Sequence, residues 1–108
     1  MKAVLEPLGN KGFLFRRLEP FDLKRIGSRK RIGVYCGVDE RRRHTLVFHI
    51  RRKSRLLLAE AKELIALKAA IMRACDYEKC QCLAVVEAPL CSKSANLLEA
   101  DGWKIITV

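Results

Sequence analysis

The sequence has no long apolar run, which excludes one class of protein at once. Its longest unbroken apolar stretch is Cys82 to Val86. A membrane-spanning helix needs about 20 apolar residues, so no segment is predicted to cross a bilayer. The N-terminus is interrupted by Pro7 and Gly9 and lacks the apolar centre of a signal peptide. We therefore expect a cytoplasmic protein with no membrane partner.

Motifs for small-molecule chemistry and for zinc are also missing. G-V-Y-C-G lies in a predicted strand and does not match the phosphate-binding pattern G-x-x-x-x-G-K. The five cysteines form an odd number, and the last four follow the spacing C-x4-C-x-C-x8-C, without the paired C-x2-C knuckles typical of zinc sites. Reduced thiols without a metal are the expectation.

Acidic residues are scarce in the first half of the chain. Residues 1–55 hold 16 of the 22 Lys and Arg but only 5 of the 12 Asp and Glu, so the net charge of +10 belongs to this half. Such asymmetry is typical of nucleic-acid binding, because each cation placed against a phosphate releases counterions and adds affinity. An acidic protein partner and an inert basic surface remain alternatives. An anionic membrane would favour a basic amphipathic helix, whereas these clusters lie around predicted strands and turns.

Strand and helix patterns alternate in the order β-β-(short helix)-β-β-α-β-α-β. This order predicts one α/β domain over residues 1–108, with a mixed sheet in which an antiparallel meander is followed by β-α-β-α-β with parallel late strands. Residues 1–30 form its N-terminal strands and short helix, and residues 31–108 form its core. The predicted strands are 2–5, 12–19, 32–38, 44–50, 82–88 and 103–108; the predicted helices are 21–27, 55–75 after a Ser54 cap, and 92–101 with Ser92 as cap and Gly102 as stop.

The central hairpin predicts a basic face. Period-two alternation directs Val34, Leu46 and Phe48 to one side, and the charged or aromatic residues between them to the other. Tyr35 on this second side is either a stacking platform for an unpaired base or a packing residue. No recognition helix is evident, so sequence-specific binding is not predicted. The predicted nucleic-acid contacts are Arg29, Lys30, Arg31, Tyr35, Arg41, Arg42, Arg43, Arg51, Arg52, Lys53 and Arg55.

The second half of the chain resembles a known superfamily. A long helix followed by "LAVVEAPLCSKSANLLEADGWKIITV" is similar to the tail of restriction-endonuclease-like (PD-(D/E)xK) proteins, over about residues 31–108. The resemblance implies an Asp that opens or closes one hairpin strand and a Glu-x-Lys on the next strand. Asp39 takes the place of the first acid, and His49-Ile50-Arg51 falls where Glu-x-Lys is expected.

This departure from the family pattern affects the chemistry that the resemblance implies. The family holds a divalent metal between two carboxylates. Mg²⁺ prefers hard oxygen ligands, so His49 in place of Glu removes one of them. Arg51 in place of Lys is a cation that does not lose its proton. We therefore expect a nuclease-like fold that binds DNA or RNA without a cofactor.

A metal-dependent nuclease is the main alternative prediction. "YCGVDERRRHTLVF" also resembles the opening hairpin of ribonuclease-H-like nucleases, and Asp39 and Glu87 would both follow carboxyl ends of strands. In this alternative, Asp39, His49 and Glu87 are the catalytic candidates, and the two acids hold Mg²⁺ or Mn²⁺. The simpler interpretations are a turn residue for Asp39, a surface histidine for His49 and a strand-end residue for Glu87. A homodimer stays possible.

Overall fold

A computed structural model describes residues 15–27, 32–39 and 41–107 of the chain. The predicted strand at 2–5 and the predicted contact residues Arg29, Lys30 and Arg31 lie outside the described residues. The described part is a single α/β domain with a five-stranded mixed sheet and two α-helices, which confirms the predicted class. None of the helices in the described ranges has the length and apolar character needed to span a membrane.

The sheet has its strands in sequence order, and their directions match the predicted meander and β-α-β-α-β half. β1, β2 and β3 pair antiparallel, whereas β3, β4 and β5 pair parallel. The elements are β1 (Phe15–Pro20), a 3-10 helix (Leu23–Ile26), β2 (Gly33–Asp39), β3 (His44–Arg51), α1 (Leu58–Ala74), β4 (Gln81–Glu87), α2 (Ser92–Ala100) and β5 (Trp103–Thr107).

The hairpin of β2 and β3 defines two ends of the sheet. We call the end at residues 41–43 the turn end, and the end where β3 leaves for α1, at Arg51, the junction end. β4 and β5 run parallel to β3, and the register pairs Thr45 with Gln81 and Arg51 with Glu87. Gln81 therefore lies at the turn end and Glu87 at the junction end.

Both faces of the sheet are apolar at their centres. The two helices pack on one face, over a core that includes Leu46, Phe48 and Ile50. The opposite face carries a smaller buried cluster formed by Val47, Leu83, Val85 and Ile106, against which Leu18 and Tyr35 pack. The prediction of a basic face is therefore wrong at the centre of the sheet. There, residues of β4 and β5 on the face opposite the helices extend an apolar surface across the hairpin. In the described part of the chain, the arginines predicted to bind nucleic acid stand at the two ends of the hairpin.

The start of α1 differs from the prediction. The helix begins at Leu58, three residues later than expected, because Leu56 remains in extended backbone. The Leu56 amide donates to the Pro89 carbonyl over 2.9 Å, and Leu56 forms a parallel bridge with Leu90. Ser54 does not cap the helix; its hydroxyl accepts from Arg52 Nε over 3.1 Å.

The ends of α2 follow the prediction at one terminus only. Cys91 replaces Ser92 as the N-cap, since its sulfur accepts from the Ser94 amide over 3.3 Å. Gly102 follows the helix with a φ of 89°, in the left-handed region where glycine has no steric cost. The predicted glycine stop is confirmed.

Candidate nuclease-like site and nucleic-acid interface

Asp39 is the residue that organises the hairpin turn. Its Oδ1 accepts from the amides of Arg41 and Arg43 over 3.0 and 2.8 Å, and its Oδ2 accepts from Arg43 Nε over 2.8 Å. Burial alone would raise the pKa of this carboxyl, but the hydrogen bonds and charge of Arg43 outweigh it and hold the pKa below the usual value. The carboxylate is thus engaged by donors of its own turn, which supports its interpretation as a turn residue.

Asp39 and Glu87 do not form one site. Each follows the carboxyl end of its strand, as predicted, but β2 runs antiparallel to β4. Asp39 therefore lies at the turn end and Glu87 at the junction end, separated by the length of β3. Eight residues of strand at about 3.3 Å each put the two ends roughly 25 Å apart. The prediction that both acids hold one metal, and the ribonuclease-H-like arrangement that depended on it, are wrong.

His49 and Glu87 are the predicted catalytic residues that do meet. They lie on adjacent parallel strands and on the same face, and His49 Nε2 is in hydrogen-bond contact with Glu87 Oε2. Their side chains are 14% and 27% exposed. A carboxylate that accepts from one imidazole nitrogen fixes the orientation and the tautomer of the ring. The contact with Glu87 therefore holds the His49 imidazole in one orientation at the junction end.

Gly33 occupies the position that faces this pair from β2. The hairpin register places it directly opposite His49, at the opening of its strand. A Cβ at Gly33 would lie 3.3 Å from Tyr35 Cε2 and 3.4 Å from His49 Cβ, so these two side chains flank the glycine. The resemblance implied an acid that opens or closes this strand. The opening position carries no side chain, and the closing position, Asp39, lies at the other end.

The side chains around His49 do not fit the metal centre that the fold family implies. Such a centre needs hard oxygen donors, typically two carboxylates that share the ion. Here Gly33 offers none, Arg51 brings a positive charge, and the carboxylate of Glu87 is in contact with His49. The described residues contain no group of three or more His, Cys, Asp or Glu placed to hold a metal ion.

At the turn end all three arginines are exposed, and one of them is held by an acid. Arg43 is held by Asp39. Arg41 and Arg42 project from the turn, and Arg42 has a φ of 62°, in the left-handed region that such turns require. The turn-end arginines are therefore available to a ligand at the tip of the hairpin.

At the junction end, one predicted contact residue is structural. Arg52 Nη2 donates to Glu60 Oε1 over 2.8 Å, and its Nε donates to Ser54, so the guanidinium ties the end of β3 to α1. Arg51, Lys53 and Arg55 are exposed. Within the described ranges, no carboxylate lies within ion-pair distance of these three side chains.

Tyr35 is half-buried and packs against the apolar cluster of the second sheet face. Its ring also borders Gly33. The structure thus gives Tyr35 the packing environment that the sequence left as one of two interpretations.

A cavity at the turn end is lined in part by residues that no sequence pattern singled out. It has a volume of about 500 Å³ and is lined by Arg42, Arg43, His44, Lys79, Cys80, Gln81 and Lys104. Lys79 and Lys104 come from the second half of the chain, whose net charge is close to zero, so a count by halves conceals them. Only the parallel register of β3, β4 and β5 brings them beside the hairpin turn.

Comparison with known proteins finds similarity only at the level of solved structures. No protein-family model matches the chain, and no curated protein matches it significantly. The apo form of EndoMS superposes with a TM-score of 0.64 and 20% sequence identity, covering 99% of this chain and 44% of that chain. A complex of EndoMS with double-stranded DNA gives a TM-score of 0.57 and 18% identity, with the same coverage.

A repair endonuclease from Pyrococcus abyssi superposes with a TM-score of 0.57 and 18% identity, covering all of this chain and 46% of that chain. The chain thus spans less than half the length of each of these proteins. Identities at this level establish the fold. These structures are restriction-endonuclease-like, in agreement with the resemblance over residues 31–108. The protein therefore has a restriction-endonuclease-like fold.

Proposed function

We propose that the protein binds nucleic acid through its phosphates and does not cut it. The observation that carries this proposal is the set of exposed cations at the two ends of the hairpin that have no acidic partner among the described residues: Arg41, Arg42, Arg51, Lys53 and Arg55. Contacts to phosphates position a protein on a nucleic acid but do not distinguish its bases, so this binding is expected to be independent of the nucleic-acid sequence.

The charge distribution supports this proposal over an inert basic surface. Arg43 and Arg52 are tied to acids, whereas the five exposed cations have no acidic partner in the described part of the chain. Unpaired like charges on a small domain oppose folding, and a polyanion relieves their repulsion. The structural similarity to EndoMS in complex with double-stranded DNA makes DNA the first ligand to test.

The absence of cutting follows from the donor set at the junction end. Glycine stands opposite His49, and the nearby acid, Glu87, contacts that histidine. A metal-dependent nuclease, the alternative that the resemblance implied, would need a second carboxylate there.

Fluorescence anisotropy with labelled single- and double-stranded DNA and RNA tests the proposal at several salt concentrations. For a duplex, the logarithm of affinity falls with the logarithm of salt by about 0.9 per neutralised phosphate. Arg51→Gln and Lys53→Gln are each expected to reduce this slope by about 1 if each side chain makes one contact. Lys62→Gln is the matched control, since it removes one charge from an exposed position of α1 outside the interface.

Cleavage is measured in the same samples with Mn²⁺ or chelator at constant ionic strength. Mn²⁺-dependent products that disappear in Glu87→Gln would overturn the binding-only proposal. Equal salt slopes for wild type, Arg51→Gln, Lys53→Gln and Lys62→Gln would show that neither Arg51 nor Lys53 contacts a phosphate. If no nucleic acid binds even at low salt, the proposal is wrong, and the basic ends are left for an acidic protein partner.

A further inference from the structure

The turn-end cavity has a lining rich in positive charge. Arg42 and Arg43 come from the hairpin turn, Lys79 from the loop before β4, and Lys104 from β5. Among the residues that the structure describes, no Asp or Glu lines this cavity, although Asp39 reaches Arg43 from the side. Four cationic side chains from three separate segments thus surround a space of about 500 Å³, within the usual range for small-ligand sites.

Two further features of the lining point to more than a general attraction for anions. Gln81 Oε1 is buried and has no hydrogen-bond partner among the described residues, so it gains a partner when the side chain turns toward a ligand hydroxyl or amine in the cavity. The exposed ring of His44 lines the cavity and is supported by Tyr77, with ring centroids 4.2 Å apart and an angle of 22° between the planes. The cavity therefore combines cations, a hydrogen-bond acceptor and a supported planar ring.

We propose that this cavity binds a terminal nucleotide of a nucleic-acid strand through its end phosphate. This inference rests on the proposed function, because it assigns a specific part of the polyanion to the turn end. A terminal phosphate carries a charge of about −1.5 to −2 near neutral pH, whereas each internal phosphodiester carries one. Several cations that converge on one cavity favour the more highly charged group.

The remaining groups of the cavity suit the rest of a nucleotide. The sugar hydroxyls are donors for the unpartnered oxygen of Gln81. The His44 ring offers a planar surface of the kind on which terminal bases stack. If an internal nucleotide occupied the cavity, the strand would have to leave the cavity on both sides of that nucleotide. With a terminal nucleotide, the strand leaves the cavity on one side only.

The experiment compares oligonucleotides of one sequence that bear a 5′-phosphate, a 3′-phosphate or only hydroxyl ends. One phosphorylated form is expected to bind about tenfold more tightly than the hydroxyl form, the size of effect given by one or two charge-assisted hydrogen bonds. Lys79→Gln and Lys104→Gln are expected to reduce this ratio to about twofold or less. Lys62→Gln, the charge-matched control on α1, is expected to leave it unchanged. Adenosine monophosphate is the competitor that separates a free nucleotide from a strand end.

The outcomes separate this inference from the proposed function. Equal affinity for all three oligonucleotides, or the same loss in Lys62→Gln as in Lys79→Gln, overturns the terminal-phosphate site while general binding stands. Binding of adenosine monophosphate, measured directly by calorimetry, without any binding of oligonucleotides overturns the proposed function and identifies the cavity as a site for free nucleotides. A phosphorylated-end preference that Lys79→Gln and Lys104→Gln both remove supports the inference.

Discussion

At the scale of single residues, Asp39 shows how a carboxylate can look catalytic in sequence and yet be structural. An acid at the end of a strand fits both a metal site and a hairpin turn. The structure decides between them, because three donors from Arg41 and Arg43 engage its two oxygens. Sequence separation of two and four residues made these contacts predictable, and the turn was the simpler interpretation.

Asp39→Asn is expected to destabilise the fold by about 1–2 kcal/mol at neutral pH. Asparagine has a single acceptor oxygen, so if Oδ1 keeps the amides of Arg41 and Arg43, its Nδ2 faces the Arg43 Nε donor and the charge-assisted contact is lost. The pKa of Asp39 is lowered in the folded state. Such a group stabilises the fold above its unfolded pKa of about 3.9, and this contribution is lost as pH falls through the folded pKa. Urea unfolding between pH 7 and pH 2 should therefore show a shallower loss of stability in the variant.

Asp76→Asn is the matched control for this substitution. Asp76 is exposed and has a φ of 57°, a conformation that asparagine tolerates well. Its stability and its pH dependence are expected to stay close to those of wild type. If Asp39→Asn unfolds with the same midpoint and the same pH profile as wild type, the contacts of Asp39 with its turn contribute nothing measurable.

The cysteines provide a second prediction at this scale. Contacts with Ser94 lower the pKa of the Cys91 thiol, whereas burial raises that of Cys36 to about 12 and also raises that of Cys82. Because the thiolate is the nucleophile, Cys91 should be alkylated faster than Cys36 or Cys82 near pH 7. Time-resolved iodoacetamide labelling with peptide mass spectrometry measures the order. Faster labelling of Cys36 in the folded protein would contradict it.

At the scale of elements, backbone contacts between segments fix what local sequence leaves open. The order and type of the elements were predictable from period-two alternation, the apolar run of β4 and the helix formers of α1. The start of α1 was not, because the bridge between Leu56 and Leu90 joins segments 34 residues apart and keeps the chain extended past Ser54. A capping residue such as Ser54 does not start the helix when the residues after it form backbone hydrogen bonds with a distant segment.

Gly37→Ala tests the pairing of β1 with β2. A Cβ at Gly37 would lie 2.3 Å from the Arg17 carbonyl oxygen and 3.2 Å from Leu18 Cα, so the backbone of β1 would have to move. Gly37 sits next to an irregularity in the register between Phe15 and Arg17. We expect a loss of about 2–4 kcal/mol in the free energy of unfolding, measured by urea denaturation, in the range of severe overpacking.

Gly33→Ala is the control for the same chemical change. Its Cβ would meet side-chain atoms of Tyr35 and His49 at 3.3 to 3.5 Å, and these can shift by a few tenths of an ångström. The expected loss is below about 1 kcal/mol. Equal losses for the two variants would mean that the general strand preference of alanine, rather than the approach of β1, governs both positions.

At the scale of the whole molecule, strand direction decided which predicted site residues meet. Asp39 and Glu87 both end strands, but the antiparallel step from β2 to β3 puts them at opposite ends of the sheet. His49 and Glu87 came from two different sequence hypotheses, and the parallel register of β3 and β4 brings them together. The basic clusters of the hairpin could be predicted from the sequence. Lys79 and Lys104 could not, because only the fold places them beside the turn-end arginines.

The separation of the two basic ends makes a prediction about ligand length. The turn end and the junction end lie roughly 25 Å apart along the hairpin, since β3 has eight residues. B-form DNA rises 3.4 Å per base pair along each strand, so about 7 or 8 base pairs bridge this distance. Affinity should rise steeply with duplex length up to about this size. For longer duplexes it should increase only in proportion to the number of binding positions that the duplex offers. Anisotropy titrations with duplexes of 4 to 16 base pairs measure the curve.

Substitution of one end tests whether the two ends act together. With Arg41→Gln and Arg42→Gln combined, duplexes shorter than the bridging length should bind nearly as they do to wild type through the junction end, because they reach one end at a time. Longer duplexes should lose the additional affinity, since linkage of two contacts makes the second one intramolecular. If the variant weakens short and long duplexes by the same factor, the turn end is a dominant single site. In that case the distance between the two ends does not determine affinity, and the turn-end cavity beside Arg42 is the main binding site for the duplex.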